Sequence, residues 1–104
     1  MRMFKFFLVL FVGAMLASCA QEQKEIVIYG ANSCWHCKKF KKHLDADGFE
    51  YTFHDVEFSN PLQQEMLDVV KASGYRGRIN YPVVVISGEV HIAPEYETVK
   101  PKLN

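Results

Sequence analysis

Two cysteines three positions apart, in the run Ser33-Cys34-Trp35-His36-Cys37, directly follow a short apolar stretch, Ile26-Val27-Ile28-Tyr29-Gly30, and directly precede a helical pattern. No other feature restricts the possible folds of the chain as strongly. With Cys34 in the turn leaving a strand and Cys37 one helical turn further on, both sulfurs fall on one side of the helix start. They are then close enough to join as a disulfide. Unpaired backbone N–H groups and the positive end of the helix macrodipole at that point favour a thiolate on the first cysteine. A thiolate is the species that attacks disulfides.

The chain has 104 residues, which predicts one domain and leaves no room for a second core. Its first stretch does not belong to that domain. Arg2 and Lys5 precede an almost uninterrupted apolar run over residues 6–17, the basic and hydrophobic regions of a secretory signal. The run is too short to span a bilayer, for which roughly 20 apolar residues are needed. Leu16-Ala17-Ser18-Cys19 resembles the lipobox of bacterial lipoproteins. That resemblance implies a signal peptide over residues 1–18, a lipid anchor on Cys19, a tether over residues 19–25 and a folded domain over residues 26–104. Ordinary signal cleavage would instead leave Cys19 a free third thiol, a liability in an exported protein. The full chain carries 12 basic and 12 acidic residues, and loss of Arg2 and Lys5 leaves the remainder slightly acidic. Neither a nucleic-acid partner nor a polybasic membrane footprint is expected.

Residues 26–29 read as a strand buried on both faces. Asn32 or Ser33 is positioned to cap the next helix, whose apolar stripe is Cys37, Phe40 and Leu44. Lys38, Lys39, Lys41 and Lys42 fall on its solvated faces, and Asp47-Gly48 ends it. Residues 49–56 alternate, with Phe49, Tyr51 and Phe53 on one side, the pattern of a half-buried strand. Asn60 as cap and Pro61 at the first position open a second helix striped by Leu62, Met66, Val69 and Val70 and stopped by Gly74. Tyr81-Pro82 introduces the β-branched run Val83-Val84-Val85-Ile86, and Ser87-Gly88 turns it into a return strand containing Val90 and Ile92. His54 and His91 read as solvent-side strand residues. Pro94 and Pro101 bracket one short helix.

A βαβ unit with the dithiol at its first helix, then a helix and a proline-led hairpin, resembles the thioredoxin superfamily and, in its compact length, the glutaredoxin branch. The resemblance rests on Tyr29-Gly30 before Cys34-Trp35-His36-Cys37 and on Tyr81-Pro82 before Val83-Val84-Val85-Ile86. It implies an α/β, thioredoxin-like fold with a four-stranded mixed sheet of order 2-1-3-4. It also implies a cis Pro82 beside the dithiol, with the Tyr81 backbone pairing to bound substrate. The sequence departs from the glutaredoxin pattern at Ala31, where a glutathione-binding lysine commonly stands, at Asn80, where Thr is frequent, and at Ile92-Ala93-Pro94-Glu95. Whether glutathione is the small thiol stays open. His36 is similar to the second residue of the oxidising Pro-His relatives.

The chemistry expected of Cys34 is attack on a substrate disulfide, and that of Cys37 is release of the mixed disulfide so formed. His36 would stabilise the thiolate, or be a solvated helix residue. Trp35 would offer a peptide platform, or pack against the helix end. The partners implied are protein thiols or disulfides or a small thiol, and a redox partner for regeneration, the chain itself being a monomer. The redox-active pair Cys34 and Cys37 serves as the only redox group, with no cofactor and no metal. A C-x-x-C pair is also half of many zinc sites, but no second C-x-x-C is present, and His43 lies about two helical turns beyond His36. A metal-binding or metal-delivery lipoprotein using the same thiols is the rival reading to a cell-envelope oxidoreductase.

Overall fold

The computed structural model describes residues 23–104. The stretch read from the sequence as a signal peptide, its expected cleavage point and Cys19 lie outside the described residues. Strand β1, Ile26–Gly30, runs through the middle of the molecule, and all of its residues except Val27 are buried. It pairs in parallel with β2, Thr52–Asp55, and antiparallel with β3, Val83–Ile86. Strand β4, Glu89–Ile92, returns antiparallel beside β3, which gives the sheet order β2-β1-β3-β4. The mixed sheet read from the sequence is therefore present in the expected order.

Side-chain alternation along the strands divides the core in two. Ile26, Ile28, Val84 and Ile86 face helix α1, Trp35–Ala46, whose Phe40 and Leu44 fill the layer above them. Tyr29 and Val83 face helix α2, Asn60–Ala72, and meet Met66 and Val70. Burying each large apolar side chain contributes about 1.5–3 kcal/mol, which is why two partial layers suffice for so small a domain. The short helix α3, Tyr96–Val99, and the 3-10 turn Lys100–Lys102 close the first layer with Tyr96, Val99 and Leu103. Tyr96 sits edge-on to Phe40 at 5.5 Å, stacks on His43 at 4.9 Å and donates its hydroxyl to Asp47 at 2.6 Å. Lys100 reaches the same carboxylate at 3.4 Å. The C-terminal segment is thus fastened to the last turns of α1.

Three boundaries differ from the sequence reading. The second strand starts at Thr52 and not at Phe49. Phe49 N–H donates to Leu44 O at the end of α1, and Glu50 exchanges two hydrogen bonds with the side chain of Gln23, so neither backbone is free for the ladder. Phe49, Tyr51 and Phe53 still share the side that packs on the first layer. Helix α2 is capped by Ser59, whose Oγ accepts from Leu62 N–H at 3.4 Å, which moves Asn60 inside the helix and Pro61 with it. Helix α1 is capped by neither Asn32 nor Ser33. Gly48 and Gly74 take φ values of +77° and +86° just past the two long helices, the left-handed geometry that glycine adopts without strain.

Among the described residues no helix is long and apolar enough to cross a membrane.

Candidate active site

The residue that caps α1 is Cys34. Its backbone is extended, and its Sγ accepts from Cys37 N–H at 3.2 Å, the place an aspartate or serine oxygen usually takes. Asn32 and Ser33 are engaged elsewhere. Asn32 donates to Asp55 at 2.8 Å and Ser33 to Glu57 at 2.6 Å, tying the loop before the dithiol to the end of β2. Cys34 N–H donates to Ala31 O at 3.1 Å, completing a tight turn between strand and helix. The first sulfur is consequently held at the free N–H groups of a helix start, where negative charge is favoured, and is partly open to solvent.

Cys37 occupies the opposite environment. It has 0% exposure, and both thiols are free. Burial above all, with the shared hydrogen bond and the charge at Cys34 adding to it, pushes the Cys37 thiol up to about 12. The Ala31 backbone and the Lys41 ammonium pull it the other way. Both contributions from Cys34 act only while that sulfur is free. Once Cys34 is tied up in a covalent adduct they vanish, and loss of the proton from Cys37 becomes easier at that stage.

Gly30 makes room for this second sulfur. A Cβ added there would lie 2.6 Å from Cys37 Sγ, far inside van der Waals contact, and 3.4 Å from the edge of the Phe53 ring. The sequence shows Gly30 only as the end of a strand, and nothing local to it announces the sulfur. Gly30→Ala is expected to slow closure of the Cys34–Cys37 disulfide about ten- to a hundred-fold, because the sulfur is pushed out of line. It should also cost about 1–3 kcal/mol of stability through overpacking. Thiol loss under a mild oxidant and urea unfolding measure the two effects, and an unchanged closure rate would show that the sulfur has another seat.

The Tyr81–Pro82 peptide bond is cis, as the resemblance implies, and Pro82 is buried. Tyr29 pairs with Val83, so the antiparallel register carried one step on places Pro82 opposite Gly30. The prolyl turn and the dithiol thus meet across β1 and β3. Trp35 is 76% exposed and not packed against the helix end, and Phe58, one residue beyond Glu57, is 90% exposed. His36 lies half-buried in the first turn of α1 and borders a shallow depression with His43 and Tyr96, on the side of α3.

The other two histidines are partly covered and not simply solvent-side. His54 packs near Tyr29, whose hydroxyl donates to Glu65 at 2.7 Å, and His91 Nε2 lies 2.8 Å from Glu89. Among the described residues no group of three or more His, Cys, Asp or Glu side chains is placed to hold a metal ion.

A half-exposed sulfur at a helix start, a second one buried a turn beyond it, and a cis prolyl turn across a 2-1-3-4 sheet define a thioredoxin-like thiol-disulfide oxidoreductase. The sequence profile of the glutaredoxin family matches residues 26–92, and the chain belongs to that family.

Solved structures share the fold. Methanoredoxin of Methanosarcina acetivorans aligns with a TM-score of 0.64 at 18% identity, covering 81% of this chain and 96% of its own. A glutaredoxin of Archaeoglobus fulgidus gives 0.58 at 22% identity, covering 75% and 84%. Oxidised glutaredoxin 2 of Chlamydomonas reinhardtii gives 0.54 at 18% identity, covering 76% and 73%. No curated protein sequence matches the chain.

Proposed function

We propose that this protein is exported, held to a bacterial membrane through lipid on Cys19, and exchanges a Cys34/Cys37 dithiol with disulfides of proteins or of a small thiol in the cell envelope. The observation that carries the reading is the unequal pair of sulfurs, one capping α1 in reach of solvent and one buried beneath it. Cys34 Sγ attacks a substrate disulfide, forming one S–S bond and releasing one substrate thiolate. Cys37 then gives up its proton and attacks Cys34 Sγ. The Cys34–Cys37 bond forms, the bond to substrate breaks, and the second substrate sulfur leaves as thiolate. Two electrons pass from the dithiol to the substrate, and the reverse sequence donates a disulfide.

In this reading the Tyr81 backbone and Pro82 form the docking edge, Trp35 provides an apolar contact beside the reacting sulfur, and His36 favours the thiolate. No cofactor or metal takes part beyond the Cys34–Cys37 pair itself. The envelope location is supported by the basic and apolar leader and by Leu16-Ala17-Ser18-Cys19. One experiment tests the whole reading. Full-length Cys37→Ala produced in a bacterial host should accumulate mixed disulfides on Cys34, recovered from the membrane fraction, with acyl chains on Cys19 by mass spectrometry. A soluble, unacylated product would reject the anchor, and absence of adducts under oxidising conditions would reject the exchange role.

A further inference from the structure

We infer that Lys41 is a positioning residue for the second half of the exchange, its ammonium held beside the buried Cys37 sulfur by the ring of Phe53. The inference rests on the roles given above to Cys34 and Cys37 and adds a residue to them. By sequence Lys41 is one of four lysines on the wet side of α1. The structure separates it from the others. Lys38, Lys39 and Lys42 are exposed, whereas Lys41 is partly buried, with Nζ 3.8 Å from the centre of the Phe53 ring. At that distance a cation is attracted to the face of the ring and loses some of the freedom a surface lysine keeps.

Phe53 in turn borders the seat of the second sulfur. The empty Cβ position of Gly30 has Cys37 Sγ at 2.6 Å and Phe53 Cε1 at 3.4 Å, so sulfur and ring share one small space at the end of β1. Lys41 is also four residues beyond Cys37, one turn along the same side of α1. Three independent constraints therefore converge on one place: helix spacing, the ring of Phe53 and the missing side chain of Gly30. The charges that reach Cys37 are those of Cys34 and Lys41, and they act in opposite directions. From the loop before α1 the contribution is the neutral Ala31 backbone. Strand β2 brings the neutral ring of Phe53 and, opposite Gly30, Asp55, whose carboxylate accepts from Asn32.

The consequence is stage-specific. While Cys34 is free its charge works against ionisation of Cys37. In the mixed disulfide that charge is gone while the Lys41 ammonium remains, favouring the Cys37 thiolate that must attack. A lysine serving the first sulfur would speed the opening step. Lys41 serves the closing one.

The test follows both steps in the full-length reduced protein carrying Cys19→Ser, so that Cys34 and Cys37 are its two thiols, mixed with an aromatic disulfide that releases a coloured thiol. The first equivalent of colour reports attack by Cys34, and the second reports attack by Cys37 on the resulting mixed disulfide. Lys41→Met keeps the aliphatic stem and removes the charge, and Lys41→Arg keeps the charge. In Lys41→Met the second phase should slow about two- to four-fold at neutral pH, since thiolate loss is partly offset by greater intrinsic nucleophilicity. The rise of that phase with pH should move to higher pH, and Lys41→Glu should move it further. Lys41→Arg and the exposed control Lys42→Met should match the parent, with the first phase unchanged in all variants.

A second phase in Lys41→Met with the parent's rate and pH dependence would overturn the inference, as would equal slowing of both phases. Failure to see any first-phase colour would count against the exchange reading itself, so the two failures are separable.

Discussion

Cys34→Ser is expected to abolish disulfide turnover, by at least about a thousand-fold, while leaving the fold as stable as before. The two halves of that expectation come from the same atom. A serine hydroxyl ionises far too weakly to attack a disulfide, so the chemistry is lost with the sulfur. As a cap, however, serine is among the preferred residues, and its Oγ can accept from Cys37 N–H as the sulfur does at 3.2 Å. Turnover of a low-molecular-weight disulfide and a thermal melt, both on reduced protein, measure the pair of effects. The melt should stay within about 4 °C of the parent, the shift that roughly 1 kcal/mol produces in a small domain. Residual turnover near the parent level would move the reacting centre to another thiol. A large drop in melting temperature would instead show Cys34 to be a structural cysteine.

Phe40→Ala should show the largest effect on stability, a loss of about 3–5 kcal/mol. Phe40 is 1% exposed, sits between α1 and the central strands, and meets Tyr96 edge to face at 5.5 Å. Its removal leaves a cavity and also weakens the grip of α3, whose Tyr96 meets that layer at the Phe40 ring. Small domains have only about 5–15 kcal/mol in total, so the variant is expected to lose a large fraction of its stability. Urea unfolding, compared at equal slope and with the thiols kept reduced, gives the number. A loss under about 1 kcal/mol would mean that the layer collapses around the gap, and that Phe40 is not the centre of the core described above.

Much of the fold was legible because it follows from short-range periodicity. The buried stripe Cys37, Phe40 and Leu44, the return strand after Ser87-Gly88 and the sheet order all follow from patterns a few residues long and one superfamily resemblance. The cis Tyr81–Pro82 bond came from that resemblance alone. What was misread depends on partners distant in the chain. Asn32 and Ser33 look like caps, but Asp55 and Glu57 claim both side chains, and the capping position passes to Cys34. The first residues of the alternating stretch do not join the sheet, because the end of α1 and Gln23 use their backbone groups. Gly30 and Lys41 were invisible for the same reason. A strand-ending glycine and a helix-face lysine acquire meaning only when Phe53 arrives from the neighbouring strand.

Lys24 N–H donates to Leu103 O at 3.1 Å, and Gln23 is bonded to Glu50, so both ends of the described chain are stitched together where β1 begins. The dithiol lies where β1 ends. With Cys19 acylated as proposed, Gln23 lies four residues on, a reach of at most about 14 Å. The reactive pair would then point into the aqueous compartment, with the length of β1, roughly 16 Å, adding to its height over the lipid. Such a leash would admit collision with upright or soluble clients and would keep the sulfurs away from cysteines lying flush with the bilayer.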